Sequence, residues 1–266
     1  MKRPFFYLLV IASCFSFTGQ KFVAPPSYFG PHERLEYRIH YGFINAGEAT
    51  IEIFPQLYKV NDKVCYKAAI LGHSSNAFAL ALKVRDTWVT YMDTATTIPQ
   101  KFYRHIEEGH YRLKENVFYD YTKGVATVER EARKEKDRET KNYPIPKNVQ
   151  DLVSGYFYLR TLDYNRFKVG DTIKISAFLE DKIYDFRVRY LGRKSVDTKF
   201  GTIRAIQLSP IMPPNSLFDG ENSIKLWLSD DKNRVALKIE AAMFVGSVEI
   251  DLKNYQGLRN NMCFNK

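Results

Sequence analysis

Apolar and polar residues alternate one by one along much of this chain, and this period of two restricts its fold more than any other feature. In the first example, Leu35, Tyr37, Ile39 and Tyr41 fall on one face. The pattern recurs at 49–53, 184–190, 224–228, 235–239 and 248–252. Strands with one buried face produce it, because successive side chains point to opposite sides. The sequence therefore predicts a mainly β fold, a single extended antiparallel sheet curved into an open barrel or spiral.

Two segments depart from the strand period and predict helices. Apolar residues recur at steps of three and four from Val149 to Phe157, which predicts an amphipathic helix over about 148–162 with Asn148 as its N-cap. A shorter helix is predicted over 76–82. The apolar stripe of the central helix needs a surface to cover it, so we expect this helix to pack across or plug the curved sheet.

The N-terminus has the order of features found in a signal peptide. Lys2 and Arg3 precede an apolar run from Phe5 to Ala12, which is too short for a stable span of about twenty residues. Cys14 follows small residues, as in a lipidation site, but an ordinary cleavage near Gly19 or Gln20 fits as well. We therefore expect an exported protein, periplasmic or held at the outer membrane through Cys14, with a mature N-terminus between residues 14 and 21.

The predicted boundaries follow from these patterns. They are a signal peptide (1–20), a linker (21–32), a single β domain (33–258) and a C-terminal tail (259–266). Within the β domain, a first run of strands covers 33–141 and a second covers 170–253. Turns are predicted at Asn61-Asp62, at Asp219-Gly220 and from Asp230 to Asn233, where short polar residues and glycine tolerate tight backbone angles. No later apolar run predicts a transmembrane helix in the mature chain.

Charge and composition limit the kinds of partner. The chain of 266 residues has 40 basic and 30 acidic residues, a net charge of +10, and 45% hydrophobic residues. That hydrophobic content excludes disorder for most of the chain. A basic surface suits anionic lipid, acidic polysaccharide or nucleic acid, and export makes nucleic acid the least favoured of these. Cys65 and Cys263 could form a disulfide in an oxidising compartment, but their spacing leaves this open.

The sequence offers no motif that predicts catalysis. It has no G-x-S-x-G elbow, and Cys65 lies in an alternating strand, as expected of a structural thiol. His105 and His110 flank a predicted turn, Glu108-Gly109, without the spacing of a zinc site. We therefore assign no catalytic residue, no metal and no cofactor.

Aromatic residues make up 15% of the chain and suggest a cavity. Tyrosine and tryptophan pack an apolar body while offering a polar group, which suits either a core or a pocket for a lipid or sugar. The residues predicted to line a ligand cavity are Tyr37, Tyr41, Trp88, Tyr156, Phe157 and Trp227.

Five segments in order, 35–37, 41–47, 84–86, 151–160 and 226–231, resemble an exported bacterial family known only as domain of unknown function number three thousand one hundred and eight. The resemblance covers about residues 33–257. It implies an envelope-associated β protein akin to the open barrels of lipoprotein carriers, and it supplies no catalytic residues. Arg160 of the fourth segment is expected at the rim of the sheet, where it could pair with an acid or cap helix carbonyls.

These observations lead to two main hypotheses about function. The first is a non-enzymatic envelope protein that binds a lipid, a lipoprotein or another amphipathic ligand in the concavity of the sheet, with membrane-surface association as an option. The second is a scaffold or assembly factor that binds another envelope protein. A hydrolase or glycan-active enzyme is the third and least favoured reading.

Overall fold

The computed structural model describes residues 28–80, 82–131, 139–211, 221–244 and 246–263. The predicted signal peptide, Cys14, residues 21–27 of the linker and the predicted turn at Asp219-Gly220 lie outside the described residues. Residues 132–138 of the charged segment 129–141 also lie outside the described residues. None of the described helices is long and apolar enough to span a membrane.

Fourteen strands form one antiparallel sheet, which confirms the predicted mainly β fold. The strands before the helix are β1 (Arg34–Tyr41), β2 (Ile44–Val60), β3 (Lys63–Ser74), β4 (Arg85–Asp93), β5 (Pro99–Glu108), β6 (Tyr111–Asp120), β7 (Val125–Glu131) and β8 (Glu139–Pro144). Those after it are β9 (Thr172–Leu179), β10 (Lys182–Thr198), β11 (Gly201–Pro210), β12 (Ile224–Ser229), β13 (Ala236–Ala242) and β14 (Ser247–Gln256).

The order of strands explains how the sheet curls. Within each run, successive strands are neighbours, and β14 pairs with β1 to join the two runs. The edges of the sheet are therefore β8 and β9. Thirteen spacings of about 4.8 Å would separate them by about 60 Å in a flat sheet. Yet the rings of Tyr143 in β8 and Phe178 in β9 lie 5.8 Å apart, so the sheet curls until its edges meet without joining in a backbone ladder among the described residues.

The helix α1 (Leu152–Thr161) connects the two runs of strands and lies inside the curl. Its N-cap residue is Asp151 and not the predicted Asn148. The Asp151 carboxylate accepts a hydrogen bond from the Ser154 backbone N–H, and the Ser154 hydroxyl accepts one from the Asp151 N–H. This reciprocal cap satisfies two of the donors that a helix N-terminus leaves free. The short helix predicted over 76–82 is only a 3-10 turn, Phe78–Leu80.

Two apolar clusters fill the curled sheet, one in each half. Val153 and Phe157 of α1 belong to the cluster of the first run of strands, whereas Leu159 belongs to that of the second. Tyr156 packs against both clusters. The helix therefore buries opposite sides against opposite walls, as expected for an element that plugs the sheet.

Arg160 does not lie at the rim, and that expectation was wrong. The side chain is 0% exposed, and its guanidinium binds the Glu33 carboxylate and the Asn233 carbonyl oxygen. Rings of Phe29, Tyr156 and Phe157 surround it, with their centroids 5.0–5.5 Å from the guanidinium carbon. The pairing with an acid is present, but Glu33 lies far away in the sequence and is also buried.

Candidate ligand-binding site

An apolar pocket of about 230 Å³ lies between α1 and the second run of strands. Its exposed wall carries no polar surface. The lining residues come from the helix and its cap, from β9 and β10, and from β12: Gln150, Asp151, Leu152, Gly155, Tyr156, Leu159, Ile175, Ala177, Phe178, Leu179, Phe186 and Leu226.

One stripe of the helix forms the first wall. Leu152, Gly155, Tyr156 and Leu159 follow the three- and four-residue steps that place side chains on one helix face. Gly155 leaves a gap in this stripe because it has no side chain. A β-carbon built on it would lie 3.8 Å from the Gln150 β-carbon, an ordinary contact. The space above Gly155 is therefore available to a ligand atom.

The hairpin of β9 and β10 forms the opposite wall. Ile175 pairs with Phe186, and Ala177 pairs with Tyr184. Directly paired residues of antiparallel strands share a face, so Tyr184 extends the apolar wall outward, and it is 41% exposed. Lys182 pairs with Leu179 and therefore brings a positive charge to the same face of the hairpin as this lining residue.

The tip of this hairpin is tied to the first run of strands. Arg130 of β7 donates hydrogen bonds to both carboxylate oxygens of Asp181, at 2.8 and 2.5 Å, and one to Glu115 at 2.7 Å. Glu180 and Asp181 both have positive φ, as a two-residue type I′ turn requires. The Arg130–Asp181 pair thus fixes one wall of the pocket relative to the rest of the sheet.

Two polar groups lie at the helix end of the pocket. Burial raises the pKa of the Asp151 carboxyl to about 6, although hydrogen bonds from Thr90 and Ser154 act in the opposite direction. The side-chain oxygen of Gln150 is buried and has no hydrogen-bond partner among the described residues. Buried polar groups of this kind are often concentrated at binding sites and catalytic sites. No polar atom, however, is exposed within the pocket itself.

The residues predicted to line a cavity fall in several places. Of the six, only Tyr156 lines the apolar pocket. Tyr37 lies close behind it, since its hydroxyl donates to the Ala236 carbonyl and the Ala236 N–H donates to the Tyr156 hydroxyl. Phe157 is fully buried on the opposite side of the helix.

The other three lie outside the pocket. Trp88 packs against the first apolar cluster, and Tyr41 ends β1 beside Gly246. Trp227 follows Leu226 in β12 and therefore points to the other face of the sheet. Sequence reasoning missed Gly155 and the β9 wall. The signals available for them were the stripe of α1 and the alternation of Ile173, Ile175 and Ala177.

A larger concavity, of about 630 Å³, lies among the turns at one end of the sheet. Its carboxylates serve their own turns, because Asp93 accepts a hydrogen bond from the Ala95 N–H and Asp120 accepts from the Thr122 and Lys123 N–H groups. These contacts account for the acids as turn-stabilising residues. The apolar pocket is the better candidate site because its exposed wall is entirely apolar.

The fold and the pocket define a class of protein in which a curled antiparallel sheet encloses one helix beside an apolar pocket. Within this class, the chain belongs to the family described as "Protein of unknown function (DUF3108)", whose model matches residues 36–253. This confirms the resemblance found in the sequence.

One solved structure supports the fold, and a second is similar to it only weakly. The beta-barrel-like protein of domain of unknown function DUF1849 from Brucella abortus is 10% identical, with a TM-score of 0.55 over 88% of this chain and 99% of that one. A protein with a YmcC-like fold from Bacteroides fragilis is 9% identical, with a TM-score of 0.32 over 86% of this chain and 99% of that one. No curated protein matches the chain. At these identities, the likeness to the first structure concerns the fold alone.

Proposed function

We propose that this protein is a non-enzymatic binding protein of the cell envelope that holds an alkyl chain of an amphipathic molecule in the pocket beside α1. The observation that carries the proposal is the wall of the pocket, whose exposed surface is entirely apolar. Export is supported by the N-terminal Lys2-Arg3 pair and the apolar run that follows.

The volume of the pocket sets what it can hold. An engineered apolar cavity of about 150 Å³ binds benzene, so 230 Å³ accommodates a longer segment of an alkyl chain. Typical pockets for drug-sized ligands begin at about 300 Å³. A whole lipid therefore does not fit, and the remainder of its chain would lie over the exposed side chains of Leu152 and Tyr184 at the mouth.

The head group is expected at the surface, near Lys182. The Lys182 side chain shares a face of the hairpin with Leu179, which lines the pocket. An ammonium group attracts a carboxylate or a phosphate in this position. The ligand class supported best is thus an anionic amphipathic molecule with at least one hydrocarbon chain.

Native mass spectrometry of protein purified from a bacterial periplasm tests this proposal. We expect a bound species with the mass of a lipid or fatty acid, which exchanges for added dodecanoate. A spectrum of ligand-free protein, together with no binding of a dansyl-labelled undecanoate probe, would contradict the proposal.

A further inference from the structure

We propose that one end of the sheet docks on the surface of a lipid bilayer through an apolar rim, defined here as the exposed side chains of Phe43, Ile44, Leu80, Leu82, Tyr111 and Phe244. Phe43 is 97% exposed and Leu80 is 92% exposed, the highest values among the large hydrophobic side chains of the described residues. Exposed apolar groups that lie together mark sites of protein or membrane contact.

Hydrogen bonds show that the turns carrying these side chains are neighbours. The Gly42 N–H donates to the Ser247 carbonyl, which joins the β1–β2 turn to the β13–β14 connection. The Ser75 N–H donates to the Ala46 carbonyl, which brings in the segment after β3.

The same segment contacts the β5–β6 turn. The Gly109 N–H donates to the Lys83 carbonyl at 2.8 Å. A β-carbon built on Gly109 would lie 3.4 Å from the Leu82 side chain. The apolar rim is thus a continuous series of adjacent turns and not a set of scattered residues.

Positive charge accompanies the apolar rim. The segments 42–46, 75–85, 108–112 and 243–247 contain Lys83, Arg85 and Arg112 but a single carboxylate, Glu108. All three cations are exposed, and none forms an ion pair with a carboxylate in the described part of the chain. Basic residues near a bilayer are attracted by anionic lipid head groups.

The shape of the apolar rim favours a bilayer over a protein partner. Its side chains stand on separate turn tips with polar backbone between them, whereas a protein interface needs a closely packed apolar core. A fluid bilayer accepts each tip separately, and Phe and Leu buried in the head-group boundary anchor interfacial proteins.

The topology also relates the apolar rim to the pocket. Turns of an up-and-down sheet alternate between its two ends, and Tyr41 pairs with Val248, so the β1–β2 and β13–β14 connections share one end. By the same alternation, the β11–β12 connection lies at that end, and so does the Glu180-Asp181 turn between β9 and β10. Docking through the apolar rim would therefore bring the β9–β10 turn, at which one wall of the pocket ends, toward the lipid.

Tryptophan placed at the apolar rim tests the docking directly in the full chain. With vesicles of phosphatidylglycerol and phosphatidylcholine in equal parts, Phe43→Trp should shift its emission to shorter wavelength, and brominated acyl chains should quench it. The control is Val169→Trp, since Val169 is 71% exposed but precedes β9 at the opposite end. The signal of the native Trp88 and Trp227 is subtracted with the wild-type protein.

A second comparison tests the energetic contribution of the rim. Replacing Phe43 and Leu80 together by Ser should weaken vesicle binding about tenfold or more, as expected for two lost apolar anchors, while Val169→Ser leaves it unchanged. Arg85→Glu with Arg112→Glu should weaken binding to the anionic vesicles. If the emission of Phe43→Trp does not respond to vesicles, the proposal is wrong. This outcome includes the case in which the apolar rim binds only a protein.

Discussion

Arg160 and Glu33 lie 127 residues apart in the sequence and form an ion pair in which both side chains are buried. The Nη2 atom of the guanidinium lies 2.9 Å from a Glu33 oxygen, and Nη2 and Nε both donate to the carbonyl oxygen of Asn233. The pair joins the helix, the start of β1 and the connection before β13. It therefore links the two runs of strands at the point where the sheet is continuous.

Removing one member of this pair should destabilise the fold strongly. We expect Arg160→Ala to lower the free energy of unfolding by about 3–5 kcal/mol, because it leaves the Glu33 carboxylate buried and unpaired. Arg166→Ala is the matched control, since that side chain is 83% exposed, and it should change stability by less than about 0.5 kcal/mol. Urea denaturation measures both. Equal values for the two variants would show that the pair is not buried in solution.

Phe157→Ala should also lower stability, by about 3–5 kcal/mol, because it removes a fully buried ring. The Phe157 ring packs edge-on against Phe29 with centroids 4.8 Å apart. Leu152→Ala, on the exposed stripe of the same helix, serves as the control and should cost much less. If thermal melts give Phe157→Ala the stability of wild type, α1 does not plug the sheet.

Asp151 makes stability depend on pH in an unusual direction. Its folded pKa of about 6 lies above the ordinary value of 3.8 because the carboxyl is buried. The folded state therefore binds the proton more tightly. The contribution of the protonated Asp151 to the free energy of unfolding is fully present below about pH 4. It is lost as pH rises to about 6, which lowers the free energy of unfolding by about 3 kcal/mol.

Comparison with Asp151→Asn isolates this contribution, because asparagine also caps helices. The difference in unfolding free energy between wild type and variant, measured from pH 4 to 7, should move in favour of the variant as pH rises. A difference that stays constant across this range would contradict the raised pKa.

The two cysteines of the described chain should differ in reactivity. Cys65 is buried and Cys263 is exposed, and neither forms a disulfide. Burial raises the pKa of the Cys65 thiol to about 12, which suppresses the reactive thiolate. Iodoacetamide should modify Cys263 in the native protein and Cys65 only in denaturant, as peptide mass spectrometry would show. Rapid native modification of Cys65 would mean that β3 opens.

The spacing of apolar residues predicted the mainly β fold and the central helix, because a period of two, or steps of three and four, reports which side of each element is buried. It could not identify which strands become neighbours. The contact of β14 with β1, which makes the curl possible, joins the two ends of the domain and leaves no local pattern. Arg160 was misplaced for the same reason, since its partner Glu33 is distant in sequence and arginine is rarely buried without one.

The pocket was harder to predict than the fold. Tyr156 was expected at a cavity because of its aromatic character, but Gly155 contributes by lacking a side chain. The effect of a missing side chain on a pocket can be predicted only when the strand that faces it is known. Trp227 was predicted to line the cavity, but its neighbour Leu226, on the other face of β12, lines the pocket instead. The ligand-binding role of these residues stays a prediction.

The proposal that the pocket holds an alkyl chain depends on the open space above Gly155. Gly155→Ala leaves most of this space and should stabilise α1 by up to about 1 kcal/mol, because alanine favours the helix. Gly155→Leu should fill the space with an apolar side chain. Both variants should fold, which thermal melting would verify before any binding experiment.

Titration of the dansyl-labelled undecanoate probe into these variants is the most direct measurement. We predict that wild type and Gly155→Ala bind the probe with similar affinity. Gly155→Leu should bind it at least about tenfold more weakly, the equivalent of about 1.4 kcal/mol. If Gly155→Leu remains folded and binds the probe as tightly as wild type, the pocket beside α1 is not the binding site.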